Sequence, residues 1–212
     1  MTEIDAAARD RDRMVERQLM VRGIGDPRVL EAMRQVPRHR FVEERFAPEA
    51  YADHPVPIGH GQTISQPYIV GYMVEQLRLG PGSRVLEIGT GCGYQAAVLA
   101  RLAAEVFTIE IVPGLAVAAS AVLHDLGIAN VHVATRDGRT GWPEHAPYDG
   151  IVVAAAAADV PPALVGQLKP GARLVIPLGT DWQTLHVITR TAGGTTDDTV
   201  MDVRFVPLIQ VE

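Results

Sequence analysis

The run Val85-Leu86-Glu87-Ile88-Gly89-Thr90-Gly91-Cys92-Gly93-Tyr94 carries the chain's most informative chemistry. A strand-sized apolar stretch meets glycines at every second position, and a helical pattern follows. Glycine is needed where the backbone takes positive φ or a ligand approaches the main chain closely, and the next helix start offers unpaired N–H groups. Glu110 ends the following strand-like run, 17 residues beyond Gly93, where a carboxylate can accept both hydroxyls of a ribose. The pair points to an adenosine cofactor, although the glycines alone also suit a tight turn without ligand. A dinucleotide fingerprint requires glycine or alanine at its sixth position, and Tyr94 stands there. Glu87, before the first glycine, would repel a pyrophosphate and suits a cationic ligand. S-adenosylmethionine, with its sulfonium and ammonium, meets that requirement.

A second candidate site lies upstream, in Pro55-Val56-Pro57-Ile58-Gly59-His60-Gly61-Gln62-Thr63-Ile64-Ser65-Gln66-Pro67. Prolines and glycines from Ala47 to Pro67 punctuate the chain too densely for a regular element. A long ordered loop is expected, and such loops are usually functional. Ser65 in this loop could cap the helix opening at Pro67; His60 is expected to be solvated. The histidines, at 39, 54, 60, 124, 132, 145 and 186, form no pair at metal-ligand spacing, so no metal is expected. No His-Asp or Cys-His constellation is visible. The single cysteine, Cys92, excludes an intrachain disulfide and reads as a buried, inert thiol.

The elements that must position these groups follow from pattern. Residues 1 to 22 suit a helix ending at Gly23, its first dozen residues frayed. Asp26-Pro27 reads as an N-cap and first helical residue, with Val29, Leu30 and Met33 on one face before Pro37. A helix from Pro67 places Ile69, Val70, Met73, Val74 and Leu77 in the core. Beyond Ser83, strands at Arg84–Ile88, Val106–Glu110, Val131–Ala134 and Gly150–Ala154 alternate with helices near Tyr94–Leu102, Pro113–Leu126 and Pro161–Leu168. That alternation means a parallel sheet covered on both faces. Strands at Arg173–Leu178, Leu185–Thr191 and Thr199–Val206, with tight connections such as Gly193-Gly194, suit antiparallel pairing. One domain is expected over 1–212, with helices and substrate loop (1–80) packed on an α/β cofactor sheet (81–212). Trp142 and Trp182 are expected to pack in the core or at a sheet edge.

Composition limits the partners. The 212 residues carry a net charge of −6, with basic residues scattered among acids, which excludes a generic nucleic-acid binder. No run approaches the roughly 18 apolar residues of a membrane span, and the start lacks a signal peptide's pattern. A cytoplasmic monomer is expected, without nucleic-acid or membrane partners.

From about Met14 to Pro207 the chain resembles the protein-L-isoaspartate (D-aspartate) O-methyltransferases, a class I S-adenosylmethionine-dependent family. The resemblance rests on the Gly-Gln-Thr-Ile-Ser-Gln-Pro loop (61–67), the glycine turn, Tyr148-Asp149-Gly150-Ile151-Val152-Val153, the run Leu168–Gly179 and Arg204-Phe205-Val206-Pro207-Leu208. It implies a Rossmann-like sheet, S-adenosylmethionine as cofactor without metal, and damaged proteins and peptides carrying isoaspartate, or D-aspartate, as substrates. Carried over by position, it implies cofactor contacts at Glu87, Gly89, Thr90, Gly91, Cys92, Gly93, Glu110 and Ile111. Asp137 and Gly138 would sit by the adenine. Ser65 would be the catalytic hydroxyl, with Gln62, Thr63, Ile64 and Val206 at the substrate. Cys92 stands where the family often has serine, and Ala154-Ala155-Ala156 replaces a threonine-containing version. Two other readings compete: a tailoring enzyme that esterifies an ordinary peptide aspartate, and a non-catalytic adenosine-ligand sensor. A nicotinamide oxidoreductase is disfavoured by Tyr94 and by the lack of a hydride-transfer residue set.

Overall fold

The computed structural model describes residues 3–209. Helix α1 (Glu3–Met14) runs into one π-turn (Val15–Leu19) and a short 3-10 turn, and Gly23 stops it at φ 91°. A left-handed residue of this kind ends a helix at little cost only if it is glycine. The expected fraying is not seen among the described residues, since helix is formed from Glu3. Asp26 caps α2 (Pro27–Gln35) by accepting from the Arg28 N–H. Pro37 ends that helix because a proline drives the preceding Val36 into extended backbone.

The proline-rich stretch departs from expectation. It is not without regular structure: a 3-10 segment (Glu44–Glu49) is followed by strands β1 (Val56–Gly59) and β2 (Gln62–Ile64) in an antiparallel hairpin. His60 and Gly61 make its turn at φ 52° and 70°, the positive pair that a primed hairpin turn requires. A two-stranded ribbon is all edge, which is why it tolerates Pro57. Helix α3 (Pro67–Gln76) then buries Val70, Met73 and Val74, while Ile69 stays half-buried.

The main sheet contains β3 (Arg84–Ile88), β4 (Glu105–Glu110), β5 (Val131–Thr135), β6 (Tyr148–Val153), β7 (Leu168–Leu178), β8 (Gln183–Thr191) and β9 (Gly194–Val203). Their order is β5-β4-β3-β6-β7-β8-β9. The first five are parallel, and β8 and β9 continue antiparallel. Helices α4 (Tyr94–Leu99), α5 (Pro113–Asp125) and α6 (Pro162–Gly166) make the crossovers. Strand β9 starts and ends earlier than expected because it is an exposed edge whose Thr195, Thr196, Asp197 and Asp198 show no alternation.

Two apolar layers sandwich the sheet. One joins Val29 and Met33 of α2 and Met73 of α3 to Val85, Tyr94 and Leu99; the other gathers Leu86, Ile88, Phe107, Ile151 and Leu174. Trp142 packs edge-on against Phe107, but Trp182 is 72% exposed, its indole N–H donating to Asp202. No described helix is long and apolar enough to cross a membrane. Strand order reverses at β3: the chain moves outward one way through β4 and β5, then returns to β6 on the other side. Ligands of open α/β sheets bind beyond the strand carboxyl ends at such a reversal.

Candidate active site

At that point an open cleft lies beyond β3, β4 and β6, roofed by the β1–β2 hairpin. Its floor is the turn after β3. Gly89 and Thr90 N–H groups both donate to the Ile109 carbonyl (2.8 and 3.2 Å), tying the turn to β4. Gly89 and Gly91 take φ of 92° and 55°, and a Cβ on Gly91 would sit 3.3 Å from Ile58 of the hairpin. The missing side chain leaves the space between floor and roof unfilled.

Glu110 is buried at the end of β4. One carboxylate oxygen accepts from the Gly91 N–H (2.7 Å), the other from the Val112 N–H (3.0 Å). Each oxygen keeps a second lone pair, so the group can still accept from a ligand's hydroxyls. Gly138 closes the far end, where any side chain would collide with Ile88 at 2.2 Å. Ile88, Ile109 and Ile111 add apolar lining. Gln95, whose amide nitrogen is buried without a partner, adds an unmatched donor to the wall. A cleft with two spare carboxylate acceptors, an unmatched amide donor and apolar lining fits an adenosine-bearing ligand.

Ser65 stands on the opposite wall, half-buried. The start of α3 belongs to Gln66 and draws no side-chain hydrogen bond, so the capping alternative for Ser65 is not what the structure adopts. A second, open cavity lies between this loop and the end of β9. Thr63, Ser65, Ala154 and Val206 line both cavities. A molecule in the outer cavity and a ligand on the glycine turn would therefore meet beside the hydroxyl residues Thr63 and Ser65.

The family model described as protein-L-isoaspartate(D-aspartate) O-methyltransferase matches residues 9–212. The chain belongs to this family. The protein-L-isoaspartate O-methyltransferase of Gloeobacter violaceus is 54% identical over 92% of this chain and 96% of its own length. That of Opitutus terrae is 56% identical, covering 95% and 88% respectively. A crystal structure from Plasmodium falciparum, titled as a putative enzyme of the family in complex with S-adenosyl-L-homocysteine, superposes with a TM-score of 0.82 at 30% identity. That match covers 94% of this chain and 98% of the other. A solved protein-L-isoaspartate O-methyltransferase gives 0.86 at 29%, over 93% and 65%. The sheet is thus that of a class I methyltransferase, and the chain is a member of an S-adenosylmethionine-dependent enzyme family.

Within this methyltransferase frame several expected residues change place. Gln62, Thr63, Ile64, Ser65, Gly89, Thr90, Gly91, Cys92, Glu110, Ile111, Gly138 and Val206 all line the cleft. Glu87 does not. It is fully buried beneath the floor, where Thr108 donates to it (2.6 Å) and Thr108 and Thr90 share a hydrogen bond (2.6 Å). Desolvation pushes its carboxyl up to about 8, so at neutral pH it is largely protonated and offers no charge to a cation. Gly93 also lies outside the lining. It precedes α4 at φ 90°, and a Cβ there would press on Ala119 and Leu123 of α5. Asp137 turns its carboxylate to the Arg139 side chain and N–H instead of the cleft, which holds its carboxyl below the ordinary range.

Desolvation pushes the Cys92 thiol up to about 11, but the residue is half-buried and lines the cleft, not sealed in the core as expected. His60 is exposed, yet its ring lies over Gly114 at the start of α5. A His-Asp constellation does exist: His186 bridges Thr184 (2.8 Å) and Asp197 (2.8 Å). It lies on β8–β9 outside the cleft lining and was invisible in sequence because the strands pair across a hairpin. No cluster of three or more His, Cys, Asp or Glu able to hold a metal occurs among the described residues.

Sequence reasoning missed Tyr94, Gln95, Ala155, Pro207 and Leu208 in the cleft and Arg204 and Phe205 in the outer cavity. The 204–208 motif held the available signal. Its backbone is stitched to the end of β6, Ala156 N–H donating to Val206 and Leu208 N–H to Ala156 (2.8 and 2.7 Å).

Proposed function

We propose that this enzyme repairs damaged proteins by esterifying the free α-carboxylate of L-isoaspartyl residues. The observation that carries the reading is the wall that the cleft over the glycine turn shares with the outer cavity, made by Thr63, Ser65, Ala154 and Val206. Family membership supports the substrate class.

S-adenosylmethionine, when bound, supplies a methyl group on a positively charged sulfur. Glu110 would accept from the ribose hydroxyls while its bonds to Gly91 and Val112 hold the turn in shape. Gly138 leaves room for the adenine. An α-carboxylate ionises near pKa ~3.5, so the acceptor oxygen is already a nucleophile and no general base is required. Ser65 donates a hydrogen bond to the second carboxylate oxygen and aims the first along the line of transfer. Such alignment is mainly a proximity contribution. Ile58, Ile64, Val206 and Leu208 surround the junction with apolar surface. Opposite charges cancel as the methyl group moves, so a wall that excludes water favours the transition state.

The ester then leaves the enzyme's chemistry behind. Attack of the following backbone nitrogen on the ester carbonyl expels methanol and forms a succinimide, and water reopens the ring to aspartate or isoaspartate. Incubating an isoaspartyl peptide with enzyme and S-adenosylmethionine should therefore produce succinimide and then aspartyl peptide, followed by chromatography. An ordinary aspartyl peptide should pass unchanged. Esterification of the aspartyl peptide instead would establish the tailoring reading.

A further inference from the structure

Arg38 is completely buried, an environment that arginine almost never occupies unpaired. Among the described residues no carboxylate pairs with it. Its Nε donates to the Ala50 carbonyl (2.6 Å) and its Nη2 to the Ser65 carbonyl (2.7 Å). The guanidinium lies over the Tyr94 ring, 4.8 Å from its centre. Ala50 and Ser65 are the two ends of the segment that carries the hairpin roof, and Tyr94 belongs to the cleft wall. One side chain from the 3-10 turn after α2 (Arg38–Phe41) thus spans both ends of the roof and backs the wall.

Core stability alone does not call for a charge here, because well-packed apolar replacements of buried ions are often neutral or stabilising. A planar guanidinium offers what an apolar group or an ammonium cannot: divergent donors at fixed angles. We propose that Arg38 is a positioning residue for methyl transfer, clamping the 50–65 segment at both ends so that the Ser65 hydroxyl is held at the junction of the two cavities. The inference rests on the reading of Ser65 as the group that orients the carboxylate. Its consequence is a coupling: once Arg38 no longer fixes the loop, the Ser65 hydroxyl has little left to contribute.

The test uses full-length enzyme, an isoaspartyl peptide and the variants Arg38→Lys, Ser65→Ala and the double variant, with S-adenosylhomocysteine binding read by calorimetry. Arg38→Lys keeps the charge but cannot reach both carbonyls at the same angles. Its kcat should fall about tenfold or more, as small misplacements of reacting groups do. Its affinity for S-adenosylhomocysteine should stay within about twofold of wild type, and the double variant should lose little beyond the larger single loss. An unchanged kcat, a parallel loss of S-adenosylhomocysteine affinity, or two losses that multiply would each overturn the proposal. If Arg38→Lys does not fold, Arg38→Gln, which keeps one donor, is read by the same criteria. If neither folds, Arg38 is a strut of the core and the proposal fails. A wild-type enzyme that binds S-adenosylhomocysteine yet leaves the peptide unmethylated would instead refute the proposed function.

Discussion

Replacing Glu87 by glutamine isolates one titration inside the core. The carboxyl is fully buried under the glycine turn; one oxygen accepts from Thr108 and the other has no partner. Desolvation dominates its environment, the Thr108 hydrogen bond opposes, and the Glu110 charge adds to the rise from 4.5 to about 8. Below pH ~4.5 the carboxyl is protonated in folded and unfolded chains alike. Between there and about pH 8 only the folded chain keeps the proton, so stability falls as pH rises, by about 1.4 kcal/mol per unit. Above about pH 8 both forms are ionised and the loss is complete. From about pH 5.5 to pH 8 the accumulated loss is about 3 kcal/mol. Glu87→Gln retains an acceptor for Thr108 and removes the titration. Urea unfolding of both proteins across that range should show the variant gaining on wild type steadily, by about 3 kcal/mol at the alkaline end. A stability difference that stays constant within about 0.5 kcal/mol would refute the buried, protonated carboxyl.

Three further outcomes test the cleft. Ser65→Ala should lower kcat about 10- to 100-fold, the worth of one hydrogen bond to a charged group, with S-adenosylhomocysteine affinity unchanged; parallel losses would contradict the role given to the hydroxyl. Glu110→Ala leaves the Gly91 and Val112 N–H groups without their acceptor and should weaken S-adenosylhomocysteine binding about 10- to 100-fold, measured by calorimetry. Unchanged affinity there would undo the ribose assignment. With its thiol pushed up to about 11, Cys92 should react with iodoacetamide at neutral pH about a hundredfold more slowly than a free thiol. Rapid labelling of the native protein, read by mass spectrometry, would place the thiolate in reach.

What was legible in the sequence is what is local. The strand into Gly89, the turn and the helix from Tyr94 are contiguous and carry their own glycine and apolar signals, so β3 appears at Arg84–Ile88 as expected. Asp26 capping α2 is equally local. The alternation of strand and helix was enough for the parallel sheet, and the reversal at β3 then places the cleft. Other features depend on residues distant in sequence. Glu87 reads as a ligand contact until the pairing of β3 with β4 brings Thr108 beside it and closes it off. Gly93 reads as a ligand glycine until α5 is seen to pack on it. The hairpin at 56–64 is hidden by its prolines, which edge strands tolerate. Arg38 carries no local signal of its contacts, because only the folded chain brings Ala50 and Ser65 to its guanidinium.

The central claim is methyl transfer to an isoaspartyl α-carboxylate. Radiolabelled methyl from S-adenosylmethionine should be offered to three matched peptides carrying isoaspartate, aspartate, or isoaspartate with its α-carboxyl amidated. The account predicts base-labile label on the first peptide alone. Label on the amidated peptide, or none on any peptide while S-adenosylhomocysteine still binds, would contradict it.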